Sequence, residues 1–199
     1  DLSSWAAIGA RTTESQIHRE LTSGLSMPVG FKNGTMGNID IAVDAICAAK
    51  EPHHFLGVSK QGIAAILSTD GNKACHIILR GSKSNTNYDA DSIENTMQLL
   101  ESRQLPSRIM VDCSHGNSHK DHKQQTNVID DLCHQLNNGD QSIFGLMIES
   151  NLVAGNQSLT ADKKLTYGQS ITDACVNWDE TETFLAKLSQ SVKSIRSDQ

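Results

Sequence analysis

Three cations stand where short apolar runs end, each beside glycine: Gly9-Ala10-Arg11-Thr12-Thr13-Glu14-Ser15, Gly30-Phe31-Lys32-Asn33-Gly34-Thr35 and Leu79-Arg80-Gly81. An arginine offers a planar fork suited to phosphate or carboxylate, and a lysine is a mobile point charge and proton donor. Neighbouring glycines let backbone N–H groups approach an anion closely. A lone arginine is more often a solvated surface charge. Three cations repeated at equivalent places point instead to a small, multiply charged anionic substrate.

A second set is made of metal-ligand types. His115 lies in Asp112-Cys113-Ser114-His115-Gly116-Asn117-Ser118, Glu149 in Met147-Ile148-Glu149-Ser150-Asn151, and Asp173 in Ser170-Ile171-Thr172-Asp173-Ala174-Cys175. One imidazole and two carboxylates suit a divalent Mn2+, Fe2+, Co2+ or Zn2+, although separate capping or salt-bridging roles stay open on spacing alone. His115, His119 and His122 could form a local zinc motif, but they open a polar, lysine-rich stretch, and His119 and His122 are expected to be solvated. Cys113 shares strand parity with His115, so it faces either the same side or, as a small apolar residue, the core.

These residues need elements to carry them. Apolar runs at 5–10, 29–32, 76–80, 109–113 and 143–149 read as buried parallel strands, bounded by Gly, Ser, Asn or Pro. Helical patterns fall at 13–24, 38–50, 89–103, 121–137 and 179–196, with Gly139 placed as the C-terminal cap of the fourth. Residues 54–69 break the rhythm and read as an inserted β-hairpin. Repeated βα units form either an open doubly wound sheet or a (β/α)8 barrel. The absence of GxGxxG and of a P-loop weakens the nucleotide-binding version. Polar residues gathered at the C-terminal ends of strands favour the barrel, whose mouth lies there. Five strands are visible where a barrel needs eight.

The bulk properties set limits. With 199 residues, 37% hydrophobic and 20% charged, a single soluble α/β domain is expected. A net charge of -6 argues against nucleic acid or an anionic membrane as partner, and no apolar run approaches the ~20 residues of a spanning helix. Five cysteines, odd in number and without CxxC spacing, fit reduced thiols and a cytoplasmic location.

Together, the strings around Arg11, Lys32, His115, Glu149 and Asp173, with Gly155-Asn156-Gln157-Ser158 and Gly168-Gln169-Ser170, resemble the metal-dependent 3-deoxy-D-arabino-heptulosonate 7-phosphate (DAHP) synthases of the feedback-regulated microbial type. The resemblance runs over essentially the whole chain. It implies a TIM barrel, of which this chain would hold about strands 4–8, condensing phosphoenolpyruvate with erythrose 4-phosphate and releasing phosphate. By the same resemblance Gly9, Ala10, Arg11, Lys32 and Arg80 would hold phosphoenolpyruvate, and Asn33 and Thr35 would lie towards erythrose 4-phosphate. His115, Glu149 and Asp173 would bind the metal, with Lys32 and His115 closest to the chemistry. Ser26, Phe55 and Gly57 would sit where an aromatic amino acid inhibits. Tyrosine is the expected inhibitor, since Gly57 would leave room for a phenolic hydroxyl. An oligomer of identical chains is expected. Two departures stand out. Met36 replaces the acidic residue usual after Asn-Gly-Thr. The family's fourth ligand, a cysteine on the first barrel strand, has no counterpart among these residues. A non-catalytic fragment, or a related phosphoenolpyruvate-using aldose-phosphate synthase, are the alternative readings.

Overall fold

Val29–Lys32 and Cys75–Leu79 are buried at every position, as strands sheltered on both faces must be. In this computed structural model, which describes residues 2–160 and 164–197, they are the centre of a five-stranded sheet. Its members are β1 (Ala6–Ile8), β2 (Val29–Lys32), β5 (Cys75–Leu79), β6 (Ile109–Asp112) and β7 (Ile143–Met147), in the order β1-β2-β5-β6-β7. All four pairings are parallel, so every strand delivers its C-terminal end to the same edge. The connections carry α1 (Gln16–Ser23), α2 (Asp40–Ala49), α3 (Ala90–Ser102) and α4 (Gln125–Asn137), and α5 (Trp178–Ser197) closes the chain.

Strand alternation separates the two faces. Val29, Phe31, Cys75, Ile77, Leu79, Ile109 and Val111 pack with Ala42, Ile46, Ile93, Leu100, Ile129 and Leu132 of the helices. Cys113 joins this core, fully buried, which settles its parity on the apolar side. The opposite face carries Gly30, Lys32, His76, Ile78, Arg80, Met110 and Asp112. Gly30 is tight there, because a Cβ would stand 2.4 Å from Ile78 Cδ1. At its N-terminal end Trp5 Nε1 donates to His76 Nε2 (3.1 Å), and Phe144 meets the imidazole edge-on.

Helix ends follow from local chemistry. Asp89 Oδ1 accepts from Ser92 N at the start of α3, and Asn177 with Glu180 forms a reciprocal capping pair for α5. Gly139, at φ 95, ends α4 as expected, with its N–H on Leu136 O. The helix expected over 121–137 begins as a 3-10 turn, His122–Gln124. The inserted hairpin is present as β3 (His53–Val58) and β4 (Ala64–Thr69), paired antiparallel. A short pair, β8 (Val153–Asn156) with β9 (Gln169–Ser170), was not legible beforehand, being too short for any periodicity to register. No helix among the described residues is long and apolar enough to cross a membrane.

Candidate functional site at the C-terminal strand ends

Arg11 sits in the turn after β1, Lys32 ends β2, and Arg80 directly follows β5. Parallel register brings them to one edge. Thr13, fully buried, ties the first two places together, since its Oγ1 donates to Lys32 O (2.7 Å) while also touching Gly9 O. Gly81 and Gly116 let the loops after β5 and β6 cross in backbone contact. A Cβ on Gly81 (φ 71) would lie 2.6 Å from Asn117 N, and one on Gly116 2.5 Å from Ser82 O. Gly116 N donates to Arg80 O (2.9 Å), which seats Arg80 and His115 side by side.

His115, Glu149 and Asp173 meet as expected, with one ligand atom of each within 4.8 Å of the others. His115 Nε2 lies 3.7 Å from Glu149 Oε1 and 3.6 Å from Asp173 Oδ2. Ligand atoms each about 2.1 Å from one ion stand roughly 3.0–3.6 Å apart, so this donor set fits a divalent cation. Asp173 stands in the bend after β9 rather than at the end of a sheet strand. Glu149 is aimed twice over. The Gln125 amide, fully buried, brackets its backbone (3.1 and 3.0 Å), and Ser114 Oγ donates to Oε2 (2.7 Å). His115 holds φ 51, a left-handed conformation uncommon for a non-glycine residue and often found at functional sites. No zinc cluster of His115, His119 and His122 forms among the described residues, and His119 is exposed.

Asp112, which the sequence reading passed over, links the two halves of the site. It is fully buried, and its Oδ2 lies 2.7 Å from Lys32 Nζ and 2.9 Å from His115 Nδ1. Oδ1 accepts from Ser114 N (2.9 Å). The Nδ1 contact is close but off the N–H direction, so it is electrostatic rather than a well-aligned hydrogen bond. Burial pushes the Asp112 carboxyl up; His115 and Lys32 outweigh it and hold the group below its ordinary value. A carboxylate behind the imidazole keeps Nε2 turned towards Glu149 and Asp173, the arrangement common behind metal-binding histidines.

The cleft at this edge measures about 350 Å³ and is lined by Gly9, Ala10, Arg11, Lys32, Thr35, Arg80, His115 and Asp173, with Lys83 and Lys120 besides. Asn33 departs from expectation. It is fully buried and absent from the lining; its Nδ2 donates to Gly34 O and Gly81 O, and its Oδ1 accepts from Arg80 N and Asn87 Nδ2. With donors and acceptor all engaged, it fastens β2 to β5 and is not free for a substrate. Met36 is 77% exposed, and nothing in the structure explains its presence.

The hairpin positions are set apart from this cleft. Ser26 is exposed in the segment before β2, which Asn72 Nδ2 holds through Met27 O. Phe55 and Gly57 share one face of β3. The opening expected above Gly57 is filled: a Cβ there would be 2.4 Å from Leu67 Cδ1.

The parallel α/β sheet thus sets a cationic cleft beside a His-Glu-Asp cluster at its strand ends, with charge suited to an anion and donor atoms suited to a divalent metal. The family model described as the DAHP synthetase I family matches residues 1–186, and the chain belongs to that family. It is 54% identical over 196 residues to the Phe-sensitive phospho-2-dehydro-3-deoxyheptonate aldolase of Escherichia coli K12, covering 98% of this chain and 56% of the relative. It is 52% identical over 202 residues to the tyrosine-inhibited enzyme of Candida albicans, covering 99% and 55%. The solved phospho-2-dehydro-3-deoxyheptonate aldolase of Francisella tularensis SCHU S4 superposes with a TM-score of 0.93 at 49% identity, over 96% of this chain and 56% of that one. The chain thus spans about half the length of the relatives it matches.

Proposed function

We propose that this chain is the larger part of a DAHP synthase, joining phosphoenolpyruvate to erythrose 4-phosphate at the head of aromatic amino-acid biosynthesis. The observation that carries the reading is the single cleft in which Arg11, Lys32 and Arg80 face His115 and Asp173. Its five parallel strands are proposed to be strands 4–8 of a (β/α)8 barrel. Two features support this: among the described residues β1 and β7 are unpaired edges of the sheet, and the face opposite the helices ends in the Trp5–His76–Phe144 stack, which would fill a barrel interior.

In this mechanism C3 of phosphoenolpyruvate bonds to the aldehyde carbon of erythrose 4-phosphate, and water adds at C2 as phosphate departs. A divalent ion on His115, Glu149 and Asp173 would supply Lewis acidity at the aldehyde oxygen. Arg11 and Arg80 hold the anionic groups of phosphoenolpyruvate, and their fixed charge offsets what develops during bond formation. Lys32 delivers a proton to the new alkoxide, directly or through water, with Asp112 fixing its ammonium (2.7 Å). Thr35 borders the cleft on the side proposed for erythrose 4-phosphate.

The regulator proposed is an aromatic amino acid bound at the hairpin near Ser26, Phe55 and Gly57. Tyrosine is the choice, with Leu67 the side chain that must turn to admit a hydroxyl over Gly57. The protein is proposed to be cytoplasmic, in keeping with its five free cysteines, and an oligomer of identical chains. The test supplies the intact protein with Mn2+, phosphoenolpyruvate and erythrose 4-phosphate and follows heptulosonate phosphate and released phosphate together. Absence of product with erythrose 4-phosphate, but turnover with arabinose 5-phosphate, would move the chain to the related aldose-phosphate synthases. Phenylalanine, tyrosine and tryptophan added singly decide the regulator, and weaker inhibition by tyrosine than by either of the others rejects it.

A further inference from the structure

Regular strand pairing stops short of Arg80. The last partners in register are Lys32 with Ile78 and Leu79 with Val111. Arg80 and Gly81 are nonetheless buried, so their backbone groups need partners that no strand supplies. Gly116 N and Asn117 N donate to Arg80 O (2.9 and 3.3 Å). The other backbone groups of the pair are taken by asparagine side chains. Arg80 N donates to Asn33 Oδ1 (2.8 Å), Gly81 N donates to Asn87 Oδ1 (2.7 Å), and Gly81 O accepts from Asn33 Nδ2 (3.0 Å).

The asparagines are also joined to one another. Asn87 Nδ2 donates to Asn33 Oδ1 (3.2 Å), and Asn87 N donates to Asn117 Oδ1 (2.9 Å). Asn117 Nδ2 donates in turn to Leu79 O (3.1 Å) and Asp112 O (2.9 Å). A buried line of amides therefore crosses the ends of β2, β5 and β6. Each of these strands has both its neighbours within this sheet, so the line does not depend on what pairs with β1 or β7.

Asn87 stands in the middle and uses both halves of its amide, one as acceptor and one as donor. An ionised carboxylate would lack the donor, and a hydroxyl is too short to span both partners. The amide also fixes the backbone without bringing a negative charge to the end of β5. Asn87 is absent from the lining of the cleft that Arg80 borders.

We propose that Asn87 is a positioning residue for the reaction, setting the direction in which the Arg80 side chain leaves the sheet and hence the aim of its guanidinium. The proposal rests on the reading of Arg80 as a group that holds phosphoenolpyruvate. His115 is held by contacts of its own, from Asp112 Oδ2 (2.9 Å) and through Lys120 N on its carbonyl (2.8 Å), so Asn87 acts on the anion side of the site and not on the metal side.

The test takes Asn87→Ala in the parent and in Arg80→Lys, using the intact protein well below the melting midpoint of all four forms. Steady-state kinetics read kcat/KM for phosphoenolpyruvate, and titration reads Mn2+ binding. In the Arg80 background kcat/KM should fall about tenfold or more, because small misplacements of a binding group are costly. In Arg80→Lys the loss should be under about threefold, since a point charge on a flexible stem does not depend on the aim of a fork. Mn2+ affinity should stay within about threefold of the parent. Equal losses in the two backgrounds, a kcat/KM unchanged in both, or Mn2+ affinity falling by the same factor as kcat/KM would each overturn the proposal, the last by showing a general loosening. Should Asn87→Ala melt too low, Asn87→Asp, which keeps the acceptor for Gly81 N but not the donor to Asn33, is put through the same cycle and judged by the same results. If the parent shows no turnover, the functional reading fails. Calorimetry with inorganic phosphate in the same four proteins then decides the role of Asn87: a loss confined to the Arg80 background supports it, and an equal loss or none rejects it.

Discussion

Replacing Asp112 by Asn removes one charge from a place where two positive partners converge. Lys32 is 8% exposed and would be left as a nearly buried ammonium without its counter-ion. Breaking a buried pair from one side costs about 3–5 kcal/mol. The asparagine oxygen can still accept from Ser114 N, so the lower end, about 3 kcal/mol, is the figure expected. For a domain of roughly 150–250 residues each kcal/mol moves Tm by about 2–4 °C, so the larger intact protein should fall by at most roughly 6–12 °C. A second consequence is independent of stability. Without the carboxylate 2.9 Å from Nδ1, the His115 ring loses its orienting partner, and metal affinity should fall by about 10–100-fold. Thermal melts of the intact protein monitored by circular dichroism, together with Mn2+ titration, read the two effects separately. Adding Lys32→Met to Asp112→Asn removes the orphaned charge, so the pair should be less destabilising than the sum by about 1 kcal/mol or more. A Tm change under about 2 °C, or strict additivity of the two substitutions, would refute the claim that Asp112 holds Lys32 electrostatically.

Three further outcomes are expected. Lys32→Arg keeps charge but not a compact proton donor, so kcat should fall by roughly 10²-fold; a rise in KM alone would make Lys32 only a clamp. His115→Ala should lower metal affinity and turnover together, and a chelator should abolish turnover of the parent until Mn2+ is restored; full activity in a demonstrably metal-free sample contradicts this. His76 is 4% exposed, and burial, aided by Arg108, draws its pKa below the ordinary 6.5 although the Ala74 carbonyl opposes the shift. A depressed folded value means that the unfolded chain takes up the proton first, so stability falls as pH drops from about 6.5 towards the folded pKa, by at most about 1.4 kcal/mol per unit from this group. Equal slopes of unfolding free energy against pH, from 7 to 5, in the parent and His76→Gln would exclude that role.

Much of the site was legible because residue type and local context agreed. Arg11, Lys32 and Arg80 stood after apolar runs beside glycine, and His115, Glu149 and Asp173 carried suitable donor atoms. What sequence could not convey was which polar atoms were already engaged. Asn33 looked available until its amide was found joined to Gly34, Gly81, Arg80 and Asn87. Asp112 was read only as one position within the strand 109–113, because its two partners lie 80 and 3 positions away along the chain. The space imagined over Gly57 was lost to Leu67 on the facing strand, a cross-strand neighbour that register reveals and composition does not.

The backbone crossing at Gly81 and Gly116 has a consequence for how this protein can change over generations. Each glycine is hemmed in by the other loop's main chain, which cannot swing aside as a side chain could. A substitution at either position therefore cannot be rescued by adjusting one neighbouring residue; both loops would have to be rebuilt at once. In a saturation library, these two positions should tolerate almost nothing while touching no reacting atom. An intolerance map alone would place them among the catalytic residues, and would mistake a constraint on shape for one on chemistry.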